Sequence, residues 1–177
     1  MIQDRDIDIY SPLKQYFGYD QFRPLQEDVI RTVLGGEDAL VIMPTGGGKS
    51  ICFQIPALIF DKVTLVISPL IALMKDQVDG LKANGIEAAF YNSSQSAAQQ
   101  AEIMQKIRSF ELRLLYVAPE SLNFLSEVLT DQYVSCIAVD EAHCISSWGP
   151  DFRPSYKKLS FLKRILPQTP IIALTAT

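Results

Sequence analysis

The chain has 177 residues, 48% of them apolar, with a formal net charge of −4, three cysteines and a single histidine. This is enough for one domain with a full core; no run approaches the ~20 apolar residues of a membrane span, and the opening MIQDRDIDIY is too charged for a signal peptide, so a soluble cytoplasmic protein is expected. Cys52, Cys136 and Cys144 lack CxxC spacing and cannot build a zinc site with one histidine, and an acidic chain cannot bind nucleic acid through a general basic coat.

Taken in order, residues 1–15 are polar, with a short helix expected from Ser11 to Phe17. In FGYDQFRPLQEDVI, residues 17–30, Pro24 suits the first turn of a helix running to about Leu34. Tyr19 and Arg23 can sandwich a flat base, and Gln26 offers a donor and an acceptor to an adenine edge; the same aromatic residues could equally staple the helix to the core.

Ala39 to Met43 reads as a buried strand, Pro44 to Gly48 as a glycine-rich turn, and Lys49 onward as a helix entered through Ser50. This is the layout of a phosphate-binding loop. Thr45, Gly46, Gly47 and Gly48 let backbone N–H groups turn inward ahead of a helix N-terminus. Lys49 can then reach the β and γ phosphates, and Ser50 can ligate Mg²⁺. Met43 occupies the place of the first glycine in GxxxxGK[ST], and a glycine-rich surface turn is the competing reading.

Beyond it the chain alternates: strand Val63–Ile67, helix Leu70–Ala83, strand Ala88–Tyr91, helix Ala97–Phe110, strand Leu112–Val117, a weaker helix Leu122–Leu129, strand Val134–Val139, helix Tyr156–Ile165 and strand Ile171–Leu174. Regular βα alternation predicts an α/β fold, a mostly parallel sheet with helices on both faces. PTGGGKS, SPLIALMKDQ, APESL, DEAH and TAT all fall at carboxyl ends of predicted strands, where such sheets gather ligands.

Asp140 and Glu141 follow the strand Val134–Val139. At that place an aspartate can hold Mg²⁺ while the adjacent glutamate orients and deprotonates water; alone, such a pair could also be a solvated turn or helix cap. With GGGKS upstream, nucleoside triphosphate hydrolysis is expected. His143 is either structural or a bridge from the γ-phosphate region to another segment. In CISSWGPDFRPSY, residues 144–156, Trp148 and Phe152 beside Arg153 suit stacking on unpaired bases, unless Trp148 tucks the loop under the sheet.

FGYDQFRPLQ, MPTGGGKS, SPLIALMKDQV, YVAPESL, DEAHCISSWG-DFRP and ALTAT together resemble the first RecA-like motor domain of the RecQ family of DNA helicases, over residues 13–177. TGGGKS and DEAH alone indicate only helicase superfamily 2, which includes RNA helicases; the FGY-FRP-Q start and the aromatic-rich loop are the RecQ-like pieces. The resemblance implies a RecA-like P-loop domain spanning 1–177, with Tyr19, Arg23 and Gln26 at adenine and Thr45 to Ser50 at the phosphates of ATP. It implies Asp140 and Glu141 as the Mg²⁺ and water-activating pair. Ser68, Pro69, Leu70, Met74, Lys75 and Gln77, with Pro119 and Glu120, would face single-stranded DNA; His143, Trp148, Phe152 and Arg153 would couple DNA contact to hydrolysis; Thr175 and Thr177 would relay between the sites. Pro150 stands where the family commonly has histidine, removing an imidazole and a backbone donor.

The family motor needs a second RecA-like domain that closes over the nucleotide and supplies an arginine. The chain ends after ALTAT, so it reads as a fragment of a longer helicase acting on single strands and duplex junctions, with 3′-to-5′ movement in DNA repair or recombination. Alone, it is expected to be nearly inactive. In a bacterium it would associate with the nucleoid, in a eukaryote with the nucleus. A superfamily 2 RNA helicase and a non-helicase nucleotide switch are the rival readings.

Overall fold

The computed structural model describes residues 7–44, 48–142 and 161–176. Six strands form one sheet: β1 (Ala39–Ile42), β2 (Val63–Ile67), β3 (Ala88–Tyr91), β4 (Leu114–Val117), β5 (Val134–Val139) and β6 (Ile171–Thr175). Their order is β1-β6-β5-β2-β4-β3, and every neighbouring pair is parallel. The expected α/β architecture is therefore present.

Central β2, VTLVI, is buried at every position, which is why its sequence is apolar at all positions but Thr64 rather than alternating. Successive residues enter opposite layers. Val66, Tyr116, Cys136, Ala138 and Leu174 face one layer, with Cys52 and Phe53 of α3 (Ile51–Ile59) and Met74, Val78 and Leu81 of α4 (Ile71–Ala83). Leu65, Ile67, Leu115, Val117, Ile137 and Val139 face the other, with Ile103 and Ile107 of α5 (Ala97–Arg108) and with Leu162. Phe53 has no exposed surface and meets Tyr116 edge-to-face at 6.5 Å; burying such a ring contributes about 3 kcal/mol. A smaller cluster of Ile9, Leu13, Ile30 and Ile55 joins α1 (Tyr10–Pro12), its π-helical continuation Leu13–Phe17, α2 (Gln26–Leu34) and α3. Among the described residues no helix is long and apolar enough to cross a membrane.

Two local expectations are corrected. Pro24 is not in the first turn of α2, which begins at Gln26, because Leu25 takes a left-handed conformation (φ 74°) that cannot continue a helix. The helix expected over Leu122–Leu129 is instead a 3₁₀ segment, Pro119–Leu125, with Pro119, Leu122 and Leu125 buried at three-residue spacing. Other ends move slightly: α5 stops at Arg108 rather than Phe110, whose positive φ of 63° ends the helical path, and β4 starts at Leu114 rather than Leu112. The expected helix Tyr156–Ile165 lies partly outside the described residues; residues 161–165 are helical.

Candidate nucleotide and nucleic-acid sites

The functional motifs divide along the carboxyl rim of the sheet. β1, β6 and β5 are contiguous: Gly48–Ser50 follows β1 in the chain, β6 ends at Thr175, and Asp140–Glu141 follows β5; β2, β4 and β3 are contiguous and lead into the segments that follow Ile67, Val117 and Tyr91.

On the first half, Lys49 Nζ lies 3.2 Å from Glu141 Oε1, with both side chains largely buried. Glu141 takes a left-handed backbone (φ 53°), and its N–H donates to Asp140 Oδ1 at 2.9 Å. Asp140 is buried, and its own N–H donates to the carbonyl of Ile67, fixing the pair to the sheet. Between these strands, the carbonyl of Thr175 accepts from Met43 N–H at 3.0 Å, so buried Thr175 lies midway between the two motifs.

Gln26 is placed unexpectedly far inside. It is buried, its Oε1 accepts from Arg23 N–H at 2.8 Å, and its Nε2 donates to the Gly48 carbonyl at 2.9 Å. The segment carrying Tyr19 and Arg23 is thus strutted against Gly48. Gly48 has a φ of 82°, and a Cβ there would meet Gln26 Nε2 at 2.4 Å, so only glycine fits this close approach. Tyr19, 60% exposed, presents its ring to solvent, and Arg23 is also exposed. Ser50 caps α3 by position, but its hydroxyl makes no capping bond to the helix.

A lysine, a hydroxyl at a helix N-terminus and two carboxylates, beside Gly48 where a Cβ would press on Gln26, form a donor set that fits a magnesium nucleotide. Thr45, Gly46, Gly47, His143, Trp148, Pro150, Phe152, Arg153 and Thr177 lie outside the described residues.

The second half holds a cavity of about 540 Å³. Met74, Lys75 and Glu120 line it, joined by Ile71 and Ser121 from the same two motifs. The other residues expected at DNA do not line it. Ser68 is buried, its hydroxyl accepting from Leu70 N–H at 3.2 Å, Pro119 is buried, and Gln77 Oε1 is a buried acceptor without a partner. Pro69 and Leu70 sit at the turn between β2 and α4. Sequence reasoning missed the wall from Asn92 to Gln95, although its turn-forming residues at the carboxyl end of β3 obey the same strand-end rule.

A model of the DEAD/DEAH box helicases matches residues 23–177. The chain belongs to that family. Its sequence is 59% identical to the ATP-dependent DNA helicase RecQ of Haemophilus influenzae, over 94% of this chain and 27% of the relative. It is 50% identical to RecQ of Bacillus subtilis, over 94% of this chain and 29% of that one. It is also 47% identical to a putative ATP-dependent RNA helicase of Acanthamoeba polyphaga mimivirus, over 93% and 30%. This helicase-family chain thus spans less than a third of these relatives' length. The DUF1998 helicase MrfA, solved with DNA and AMPPNP, shares the fold at a TM-score of 0.71 and 23% identity, over all of this chain and 27% of that one. A hypothetical ATP-dependent RNA helicase from Sulfolobus tokodaii gives 0.72 at 17% identity, over 96% and 50%. The RecA-like helicase fold is thereby established.

Proposed function

We propose that this chain is the ATP-binding lobe of a RecQ-like DNA helicase, coupling ATP hydrolysis to 3′-to-5′ movement on single-stranded DNA and duplex unwinding in repair or recombination. The observation that carries the reading is the meeting of Lys49 and Glu141 across β6, beside a strutted glycine turn. In this reading Lys49 exchanges Glu141 for the β and γ phosphates, and Glu141, once released, accepts a proton from the attacking water. Ser50 and Asp140 hold Mg²⁺, which when bound neutralises phosphate charge. Tyr19 and Arg23 pack on the adenine, and Gln26 links that contact to the phosphate loop. Trp148, Phe152, Arg153 and His143 couple hydrolysis to the strand, with Thr175 and Thr177 as relay.

A second RecA-like domain of the longer protein is the partner that completes the site. An arginine supplied from there is worth about 10³–10⁵ in rate, so the 177-residue chain alone hydrolyses ATP very slowly. Robust DNA-stimulated turnover by the isolated chain would overturn this part. The similarity to a putative RNA helicase favours RNA as the second reading. Comparing ATPase stimulation of the full-length protein by single-stranded DNA and by RNA of equal length decides between them, and unwinding of duplexes with 3′ or 5′ overhangs tests direction.

A further inference from the structure

Lys49 and Ser50 stand at the start of α3, yet the backbone of that helix holds its start poorly. Gly48, with a φ of 82°, precedes them, and the Ser50 hydroxyl makes no capping bond. Farther along, Pro56 has no N–H to give the Cys52 carbonyl, so the helical ladder is interrupted in its second turn. Between the glycine turn and that proline, ICFQIPALI contains one strongly polar side chain, Gln54. It is buried, its N–H donates to the Ser50 carbonyl at 2.9 Å, and its Nε2 donates to the Tyr116 hydroxyl at 3.3 Å.

Tyr116 is a firm anchor. Its strand, β4, is bonded to β2 on one side and β3 on the other, and its ring meets Phe53 of α3 edge-to-face. In the ladder Tyr116 lies beside Val66, and Val66 beside Ala138, two residues before Asp140. Burial holds the Tyr116 phenol above its ordinary range and the charge of Asp140 adds to the effect, so the group stays a neutral hydroxyl. An amide–phenol bond inside an apolar layer adds little net stability, because two apolar side chains of the same shape would fill the space nearly as well. What it adds is uniqueness. Apolar surfaces tolerate small slides and rotations, whereas a buried amide with one partner in reach admits a single seating of its helix.

We infer that Gln54 and Tyr116 are positioning residues for hydrolysis: their bond sets how α3 sits on the sheet and keeps Lys49 and Ser50 aligned with Asp140 and Glu141. The need is greatest once nucleotide draws Lys49 away from Glu141, when the stretch is held by Gln26 on the Gly48 carbonyl and by Gln54 on Tyr116. This rests on the hydrolytic reading proposed above and adds to it two interior residues, neither of which reaches the reacting atoms.

The test uses the full-length protein with ATP and single-stranded DNA, reading kcat beside the urea midpoint. Gln54→Met and Tyr116→Phe each keep the shape and remove one partner, so each orphans a buried polar group and should lower the midpoint. The double variant orphans none, and its midpoint should recover. DNA-stimulated kcat should fall about tenfold in all three, because small displacements of reacting groups cost that much, and it should stay low in the double variant. Affinity for the strand should remain within about twofold of the parent's. Ile107→Val, in the opposite layer of the core, should lower the midpoint and leave kcat unchanged. If kcat stays within about twofold of the parent throughout, or tracks the midpoint across the four variants, the inference falls and the helicase reading stands. If the parent itself shows no DNA-stimulated hydrolysis, both fall.

Discussion

Lys49 and Glu141 are 3.2 Å apart although they lie 92 positions apart in the chain and follow strands, β1 and β5, that β6 separates. In the proposed reading, the ammonium that meets phosphate holds the carboxylate that activates water, and nucleotide binding separates them. Glu141→Gln in the full-length protein should therefore retain or improve binding of a fluorescent ATP analogue while DNA-stimulated hydrolysis falls by about 10² or more. Lys49→Ala should lose both, with nucleotide affinity reduced by roughly tenfold or more. Near-parental turnover in either variant would refute the assigned roles.

Gly48→Ala places a methyl group 2.4 Å from Gln26 Nε2 on a backbone with φ 82°. The left-handed conformation costs about 1–2 kcal/mol for a non-glycine residue, and losing the two bonds of Gln26 costs about 1 kcal/mol each. Urea unfolding should show a loss of about 3–4 kcal/mol. In a Gln26→Ala background the same change should cost distinctly less, a coupling that a double-mutant cycle reads directly. Strict additivity would dissolve the strut.

Leu25 is exposed and holds a φ of 74°, so its side chain returns little for the strain. Leu25→Gly should stabilise the domain by about 0.5–1 kcal/mol, the relief of about 1–2 kcal/mol less the added chain entropy of glycine. Leu25→Ala keeps the strain and should bring no gain. Equal thermal midpoints for the glycine and alanine variants would argue that Leu25 makes a compensating contact.

Burial pushes the thiols of Cys52 and Cys136 up to about 12. Because the folded state keeps these protons after the unfolded chain has begun to release its own, stability is complete below the ordinary thiol range. It then declines as pH rises from about 9 toward 12, by about 1.4 kcal/mol per pH unit for each thiol. Melting of the Cys52→Ala, Cys136→Ala double variant should fall less steeply with alkaline pH. Parallel profiles would show that these thiols are not the titrating groups.

Legibility from sequence followed burial. Val63–Ile67 and Val134–Val139 were readable to the residue because interior strands are apolar wherever the sheet is covered on both faces, and the edge strand Ala88–Tyr91 because Asn84-Gly85 and Asn92 punctuate its short apolar run. Lys49, Asp140 and Glu141 could be singled out because the chemistry proposed for them needs those side chains at strand ends, and the structure brings Lys49 and Glu141 into contact. Gln26 as a strut was not, since its partner lies 22 residues on and depends on the unforeseen left-handed turn at Leu25. Pro119–Leu125 misled because apolar residues three apart fit either an α-helical or a 3₁₀ path. Asn92–Gln95 escaped notice because its side chains mostly serve the turn itself.

The two halves of the rim also bear on how events at one could be felt at the other. Six hydrogen-bonded parallel strands make a stiff plate, and its middle pair, β5 and β2, is bonded from Val63 to Ile67. Flexing that plate would break ladder bonds before it carried a message sideways. The softer route runs over the edge, where Asp140 N–H reaches the Ile67 carbonyl and Ser68 N–H reaches the Val117 carbonyl, so each strand's exit is tied to the exit beside it. Traffic between nucleotide and strand would then pass from loop to loop like a row of linked latches, leaving the floor beneath them still.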